Sequence, residues 1–229
     1  MRLLNNQYYF SVEGETETWY LNWLKNEINK HPNITGTVSF HAKVNKDPFS
    51  YSKTLSLNSR TEIWHIFDFE SEEKCHTDQF KDTLKRMKQA HANRREIIYK
   101  NGYSNLTFEL WILLHKMDFS RSMNHRKDYC SYINRCFGES FENLKAYKHE
   151  KNFKRILSKL SLEDVFKAIE RAKRLSKENH KSDKKFVELY GYTFCQDNPH
   201  TELWIIFESI LNNAGLTKDN VAIIDSVKL

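Results

Sequence analysis

The chain has 229 residues, with 36 Lys/Arg against 30 Asp/Glu for a formal net charge of +6. Hydrophobic residues make up 39% and aromatics 14%, enough to bury a core, which argues against a disordered chain. Six glycines and three prolines leave no collagen-like or linker-like segment, and no stretch approaches the ~18 uncharged apolar residues of a membrane helix.

Gln7 to Val12 (QYYFSV) is aromatic and β-branched and predicts a buried strand that ends at Glu13-Gly14. A helix from near Thr16 to about Lys30 puts Trp19, Trp23, Leu24 and Ile28 on one face. Thr37 to Val44 predicts a second strand, and Pro48 to about Leu57 a short helix. Glu62 to Asp68 (EIWHIFD) predicts a third strand, apolar and ending in an acid. Thr77 to Ala92 is an amphipathic, basic helix, and Glu96 to Lys100 a short fourth strand. This alternation predicts an open α/β layer with parallel strands buried on both faces.

Beyond Ser104 the pattern turns helical, with segments at 106–116, 127–137, 153–160, 162–179 and 201–214. Thr-Phe-Glu-Leu-Trp-Ile at 107–112 is echoed by Thr-Glu-Leu-Trp-Ile at 201–205. The pair reads as two similar amphipathic helices, because no period of roughly 30–45 residues accompanies it. The expected layout is an α/β layer over 1–125 with a helical, basic region over 126–229 packed on it.

No G-x-x-x-x-G-K-[ST], G-x-G-x-x-G or G-x-S-x-G motif occurs, which excludes a P-loop, a dinucleotide fingerprint and a hydrolase elbow. Phosphate chemistry would then fall to a metal or to basic side chains. Cys75, Cys130, Cys136 and Cys195 lack CxxC spacing and read as reduced thiols of a cytoplasmic protein. Met1 to Phe10 carries one Arg and no apolar h-region, so no signal peptide is expected.

The strongest chemical signal is positional. Glu13 follows the first strand, and Asp68 ends the third, with Glu70 two residues on. In a parallel α/β sheet these strand ends share one edge, where ligands bind. Glu13, Asp68 and Glu70 can converge there although 54 residues lie between the first two. Asp68 and Glu70 project to the same side of an extended backbone. Clustered carboxylates repel, and a hard cation such as Mg2+ relieves the repulsion and serves phosphodiester chemistry. Glu13 or Glu17 could instead act as general acid or base. Glu15 and Glu17 have a plainer reading as first-turn acids that complement the helix dipole. Glu72 and Glu73 read as solvated.

The residues also carry a pattern. Phe10-Ser-Val-Glu13-Gly-Glu-Thr-Glu17 resembles the glutamate motif of Toprim domains, in the EGxTE form of RloB-like proteins. Phe67-Asp68-Phe69-Glu70 resembles the Toprim DxD motif, with Glu as its second acid. Residues 103–115, through Phe108-Glu109-Leu-Trp-Ile-Leu-Leu-His115, resemble the RloB-like S-N-P-x-F-E-L-W-L-L-L-H segment, with Leu106 in place of Pro. Lys46-Asp47-Pro48 and Asn198-Pro199-His-Thr201 resemble two further family elements.

The resemblance covers nearly the whole chain and implies a Toprim-like fold, a mostly parallel sheet flanked by helices. It implies Mg2+- or Mn2+-dependent cleavage of RNA, tRNA included, or DNA. It further implies an effector of prokaryotic anti-phage or abortive-infection defence, paired with an ABC-type (RloA-like) ATPase. Carried over, Glu13 is metal ligand or acid/base, Asp68 and Glu70 are metal ligands, and Glu17 is an acid at the metal's periphery or a second metal. Glu109 matches an acidic family position and His115 another. Glu70 reaches about one methylene further than Asp, which leaves metal number open.

Lys100, expected directly after the fourth strand, could reach a scissile phosphate. His115 has the alternative reading of a cation at a helix C-terminus. His65, inside a strand, reads as structural. His76 follows Cys75, but two neighbouring donors make no metal site. Residues 81–185 hold 26 Lys/Arg against 13 Asp/Glu, a net of +13, whereas residues 1–80 carry −3. Arg94, Arg95, Arg126, Lys127, Lys154 and Arg155 are the candidate nucleic-acid contacts in this basic stretch. Competing readings are a non-catalytic subunit that binds nucleic acid or the ATPase, and a phosphoryl or nucleotidyl transferase. A homo-oligomer is compatible with the sequence, and no membrane partner is expected.

Overall fold

The computed structural model describes residues 3–70 and 73–225, the side chains of 223–225 excepted. Glu72 lies outside the described residues. The first half runs β1 (Leu4–Val12), α1 (Glu15–Lys30), β2 (Gly36–Val44), α2 (Pro48–Lys53), β3 (Thr61–Asp68), α3 (Lys74–Asn93) and β4 (Ile97–Asn105). Then follow α4 (Glu109–Leu114), a 3-10 turn at Arg126–Asp128, α5 (Tyr129–Phe137), α6 (Leu144–Tyr147), α7 (Glu150–Leu157) and α8 (Leu162–Lys181). The chain closes with β5 (Phe186–Leu189), β6 (Tyr192–Cys195), β7 (His200–Thr201), α9 (Leu203–Asn213) and α10 (Lys218–Asp225).

The main sheet has the order β2-β1-β3-β4-β7. Its first four strands pair in parallel, and β7 is antiparallel to β4. The expected mixed α/β fold, a mostly parallel sheet with flanking and C-terminal helices, is therefore present. β3 explains why the strands are apolar throughout. Ile63 and Phe67 enter one buried cluster, with Phe80, Leu84 and Met87 of α3. Trp64 and Ile66 enter the opposite one, with Tyr20, Leu21 and Leu24 of α1. A strand covered on both faces needs apolar side chains at even and odd positions alike. The larger cluster runs without a break across position 125, joining Phe10 and Tyr20 to Ile133, Phe153 and Phe207.

Several elements differ from the sequence reading. β4 continues to Asn105, so Lys100 lies inside the strand, opposite Trp64. The polar run Ser104-Asn105 looks like a loop, but its side chains find distant partners. Ser104 Oγ meets Thr201 Oγ1 at 3.0 Å, and Asn105 Nδ2 donates to Cys195 O at 3.1 Å. α4 begins at Glu109, three residues later than the apolar run suggests, and all six of its residues are buried. The C-terminal part also contains strands: β5 and β6 form a hairpin. Its turn, Tyr190-Gly191, has φ of 56° and 87°, the positive pair of a type I′ turn, without the usual Asn-Gly signal. The sequence reading also missed α6 and α10, and Thr201, expected to open a helix, belongs to β7. No helix among the described residues is long and apolar enough to cross a membrane.

Candidate active site

Strand order positions the acids. β1 and β3 are neighbours, and the connection leaving β1 runs to β2 on one side whereas that leaving β3 runs to β4 on the other. A crevice opens at such a switch point, outside the carboxyl ends of the strands. Glu13 directly follows β1, and Asp68 is the last residue of β3. The two meet: the Asp68 amide donates to Glu13 Oε2 at 3.2 Å.

The open cleft there has a volume of about 220 Å³, and Glu13, Glu17, Lys46, Asp68, Glu70, Arg126 and Lys148 are among its lining residues. Glu17 lies in the first turn of α1 and is buried, accepting from Thr16 Oγ1 at 2.9 Å. Gly14 leaves room for this packing, because a Cβ there would stand 3.1 Å from Glu17 Oε2. Glu109, fully buried at the start of α4, lies behind the lining residues. Thr107 Oγ1 sits between Glu109 Oε2, with which it makes a short hydrogen bond, and Asp68 Oδ2 at 3.4 Å. Its single hydrogen goes to the nearer Glu109. Lys148 Nζ lies 3.0 Å from Glu109 Oε1.

Negative charge is in excess, and the acids respond. Burial pushes the Glu13 pKa up to about 7, helped by repulsion from Glu17 and Glu70 and opposed by the Asp68 amide and Lys46. Burial, then repulsion from Glu13 and Glu17, holds Asp68 well above the usual carboxylate range. Burial also raises Glu17, against the pull of Lys148. Burial opposes the charge on Lys148, but Glu109, Asp68 and Glu17 outweigh it and raise its pKa.

Glu70 stands at the rim, half-exposed. Its Oε1 accepts from Arg126 Nη1 at 2.5 Å, and its Oε2 lies 3.4 Å from His76 Nε2. Glu13, Glu17, Asp68, Glu70 and Glu109 are thus brought together as a set. Lys100 and His115 are not. Lys100 pairs with Glu62 at 3.7 Å near the start of β3, four register positions from the Asp68 row, roughly 13 Å along the strand. His115 is fully buried, bonded through Nε2 to Tyr20 Oη at 3.0 Å and through Nδ1 to Trp111 O at 2.8 Å. Burial lowers its pKa to about 4, so it is neutral and serves neither as dipole-compensating cation nor as a cleft residue. His65 is structural as expected, buried against Ser11 Oγ at 2.7 Å.

The basic candidates also divide. Arg126 lines the cleft, and Lys127 is exposed on the same 3-10 turn. Arg94 and Arg95 follow α3 and precede β4, at the opposite edge of the sheet. Arg94 is committed there, to the carbonyls of Ser52 and Leu55 at 2.9 and 2.8 Å and to Glu96. On α7, Lys154 pairs with Glu150 and Arg155 with Glu139. At the start of α3, Glu73, Cys75 and His76 bring ligand atoms within 4.8 Å of one another, so Glu73 adds a third donor to the sequence pair.

Sequence reasoning missed Thr107 and Lys148. Thr107 stood two residues before Glu109 in the family-like segment, a usable signal. Lys148 carried none, being one of 26 cations in its stretch.

Comparison with known proteins adds one finding. The family model described as RloB-like protein matches residues 8–210. No curated protein and no solved structure matches the chain. The matched span holds the Glu13–Glu17 turn, the Asp68–Glu70 strand end, the Glu109 helix and the Asn198–Thr201 element, and on that span the chain belongs to the RloB-like family.

Proposed function

We propose that this chain is a divalent-metal-dependent nuclease that hydrolyses phosphodiester bonds of RNA, tRNA included, or of DNA. The observation that carries the reading is the meeting of Glu13 and Asp68 at the β1/β3 switch point, within a partly buried cluster of more carboxylates than cations. The donors fit a hard cation such as Mg2+ or Mn2+: they are carboxylate oxygens, too many to remain charged without one. Bound there, such an ion supplies Lewis-acid stabilisation to a phosphoryl group and makes a water ligand more acidic.

The chain's own residues do the rest. Glu13, whose carboxyl pKa burial pushes up in the metal-free protein, is placed to hold the ion or to act as acid or base beside it. Thr107 and Lys148 fix the Glu109 carboxylate. Lys46 and Arg126 at the cleft, with Lys127 beside it, offer positive charge to a phosphate backbone. As the family resemblance implies, we further propose a cytoplasmic anti-phage effector role with an ABC-type ATPase partner. The absence of a P-loop from this chain agrees with that division of labour.

The test is a panel of labelled RNAs and DNAs incubated with Mg2+ or Mn2+ and either wild type or Glu13→Gln. Metal-dependent cleavage by wild type that falls at least ~100-fold in the variant is expected. Equal activity in the two proteins would sink the assignment. Salt-sensitive binding without any turnover would point instead to a binding subunit.

A further inference from the structure

We propose that Lys148 is a built-in cation of the acid cluster, standing where a second metal ion would otherwise be needed, so that the site takes one divalent ion. The inference rests on the metal-dependent reading above and adds the ion count and the residue that determines it.

Charge and geometry carry it. Glu13, Glu17 and Asp68 line one cleft, with Glu109 behind it joined through Thr107 and Lys148, and paired-metal sites use such carboxylate sets to hold two ions roughly 4 Å apart. Here the deepest acid is already paired, because Lys148 Nζ is 3.0 Å from Glu109 Oε1. Glu70 at the rim is offset by Arg126, and the four remaining carboxylates carry four negative charges when ionised. One divalent ion and Lys148 offset three, leaving a site of low net charge. Without the lysine a second divalent ion is needed to approach neutrality, and Glu109 becomes free to hold it.

The lysine is held in a rigid frame. It follows the single-turn helix α6, whose start is capped by Asn143 Oδ1 accepting from the Ala146 amide at 2.9 Å. Tyr147, beside it, is fully buried between Phe141 and Phe153, with ring centroids 5.8 and 5.5 Å away. Asn152 of α7 ties back to Ala146 O at 2.8 Å. These contacts fix the backbone at Lys148, from which its Nζ reaches Glu109 Oε1. The C-terminal region thereby supplies a residue to the site formed by the sheet edge, and Lys148 is a positioning residue acting through Glu109.

The experiment counts ions and needs no substrate. Mn2+ binding to the full chain is measured by calorimetry and by the spin-resonance signal of free Mn2+, for wild type, Lys148→Arg, Lys148→Met and the double variant Glu109→Gln/Lys148→Met. One ion is expected for wild type and Lys148→Arg, and two for Lys148→Met. The double variant, which removes the lysine without leaving Glu109 charged and unpaired, is expected to return to one. Two ions in wild type, or one in a folded Lys148→Met, would overturn the proposal. If Lys148→Met does not fold, Lys148→Gln, which removes the charge but keeps a polar group beside Glu109, takes its place with the same expectation of two ions, and one ion there would overturn the proposal. No Mn2+ bound by wild type would instead overturn the metal reading beneath it, which keeps the two failures apart.

Discussion

Glu13 and Asp68 are costly residues that a metal would make useful. Each is driven toward its neutral form by burial and by its neighbours. Replacing either with its amide therefore has two opposite effects. Glu13→Gln and Asp68→Asn are expected to raise the melting temperature of the metal-free protein at pH 8, by an amount equivalent to about 1–3 kcal/mol. Both are expected to weaken Mn2+ binding by at least ~10-fold, since each removes an anionic oxygen donor. Differential scanning fluorimetry in EDTA and a Mn2+ titration check the two directions. A loss of metal-free stability in both variants would mean that the acids are structural partners and that their repulsion is not the governing term.

Two elements that look alike in the sequence differ by which sheet edge they reach. The arginine pair at 94–95 ends α3 at the amino edges of the strands, and the pair 126–127 forms a 3-10 turn at the cleft. Arg94→Ala removes hydrogen bonds to Ser52 O and Leu55 O and an ion pair to Glu96. It is expected to cost about 2 kcal/mol of stability and leave nucleic-acid affinity unchanged. Arg126→Ala and Lys127→Ala are expected to do the reverse, each lowering the salt slope of binding by about 1. Filter binding across a salt series, paired with thermal melts, separates the two. The hairpin makes a comparable claim: Phe194 packs against Phe69 and Phe80, with centroids 5.9 and 4.8 Å away, behind the strand end that carries Asp68. Phe194→Ala is expected to destabilise by about 3 kcal/mol in denaturant titration. A change under ~1 kcal/mol would mean that the hairpin does not buttress the sheet.

At the scale of the molecule, charge is arranged more locally than the +13 of residues 81–185 suggests. Many of those cations are paired within the helical region, among them Lys116 with Asp164, Lys159 with Glu139, Lys167 with Glu163 and Lys173 with Glu208. Surface pairs of this kind contribute little stability, but they reduce the free positive field. The acidic cleft has the larger consequence for stability. A carboxyl group whose pKa is raised in the folded state binds its proton more tightly there than in the unfolded chain. Its contribution to stability therefore falls as pH rises from its ordinary value of 4.5 through about 7 for Glu13, and Asp68 acts in the same direction. His65 and His115, held neutral by burial, act in the opposite direction below about pH 6.5, so the carboxylate effect is read against Glu13→Gln, which keeps both histidines. In EDTA the melting temperature of wild type relative to that variant is expected to fall by about 5 °C from pH 5.5 to pH 8, and Mg2+ is expected to abolish most of that fall. A difference between the two proteins that is flat or rises across this range would contradict it.

Residue type and order alone determined the strand ends that carry chemistry. Val12-Glu13 and Phe67-Asp68 are abrupt changes from apolar to acidic, and a strand buried on both faces has to stop where a charge begins. The alternation through residue 100 and the motifs around Glu13, Asp68 and Glu109 were legible for the same reason, because each signal is local. Only the tertiary structure decided which side chains complete the cleft. Lys148 reaches Glu109, and Thr107 reaches Asp68, across 39 residues of chain in each case. His115 turns away from the cleft to Tyr20, 95 residues distant, and Lys100 is carried up the sheet by a strand whose polar end is held by Thr201 and Cys195. Burial and strand order set these outcomes, and neither is encoded in the spacing of neighbours along the chain.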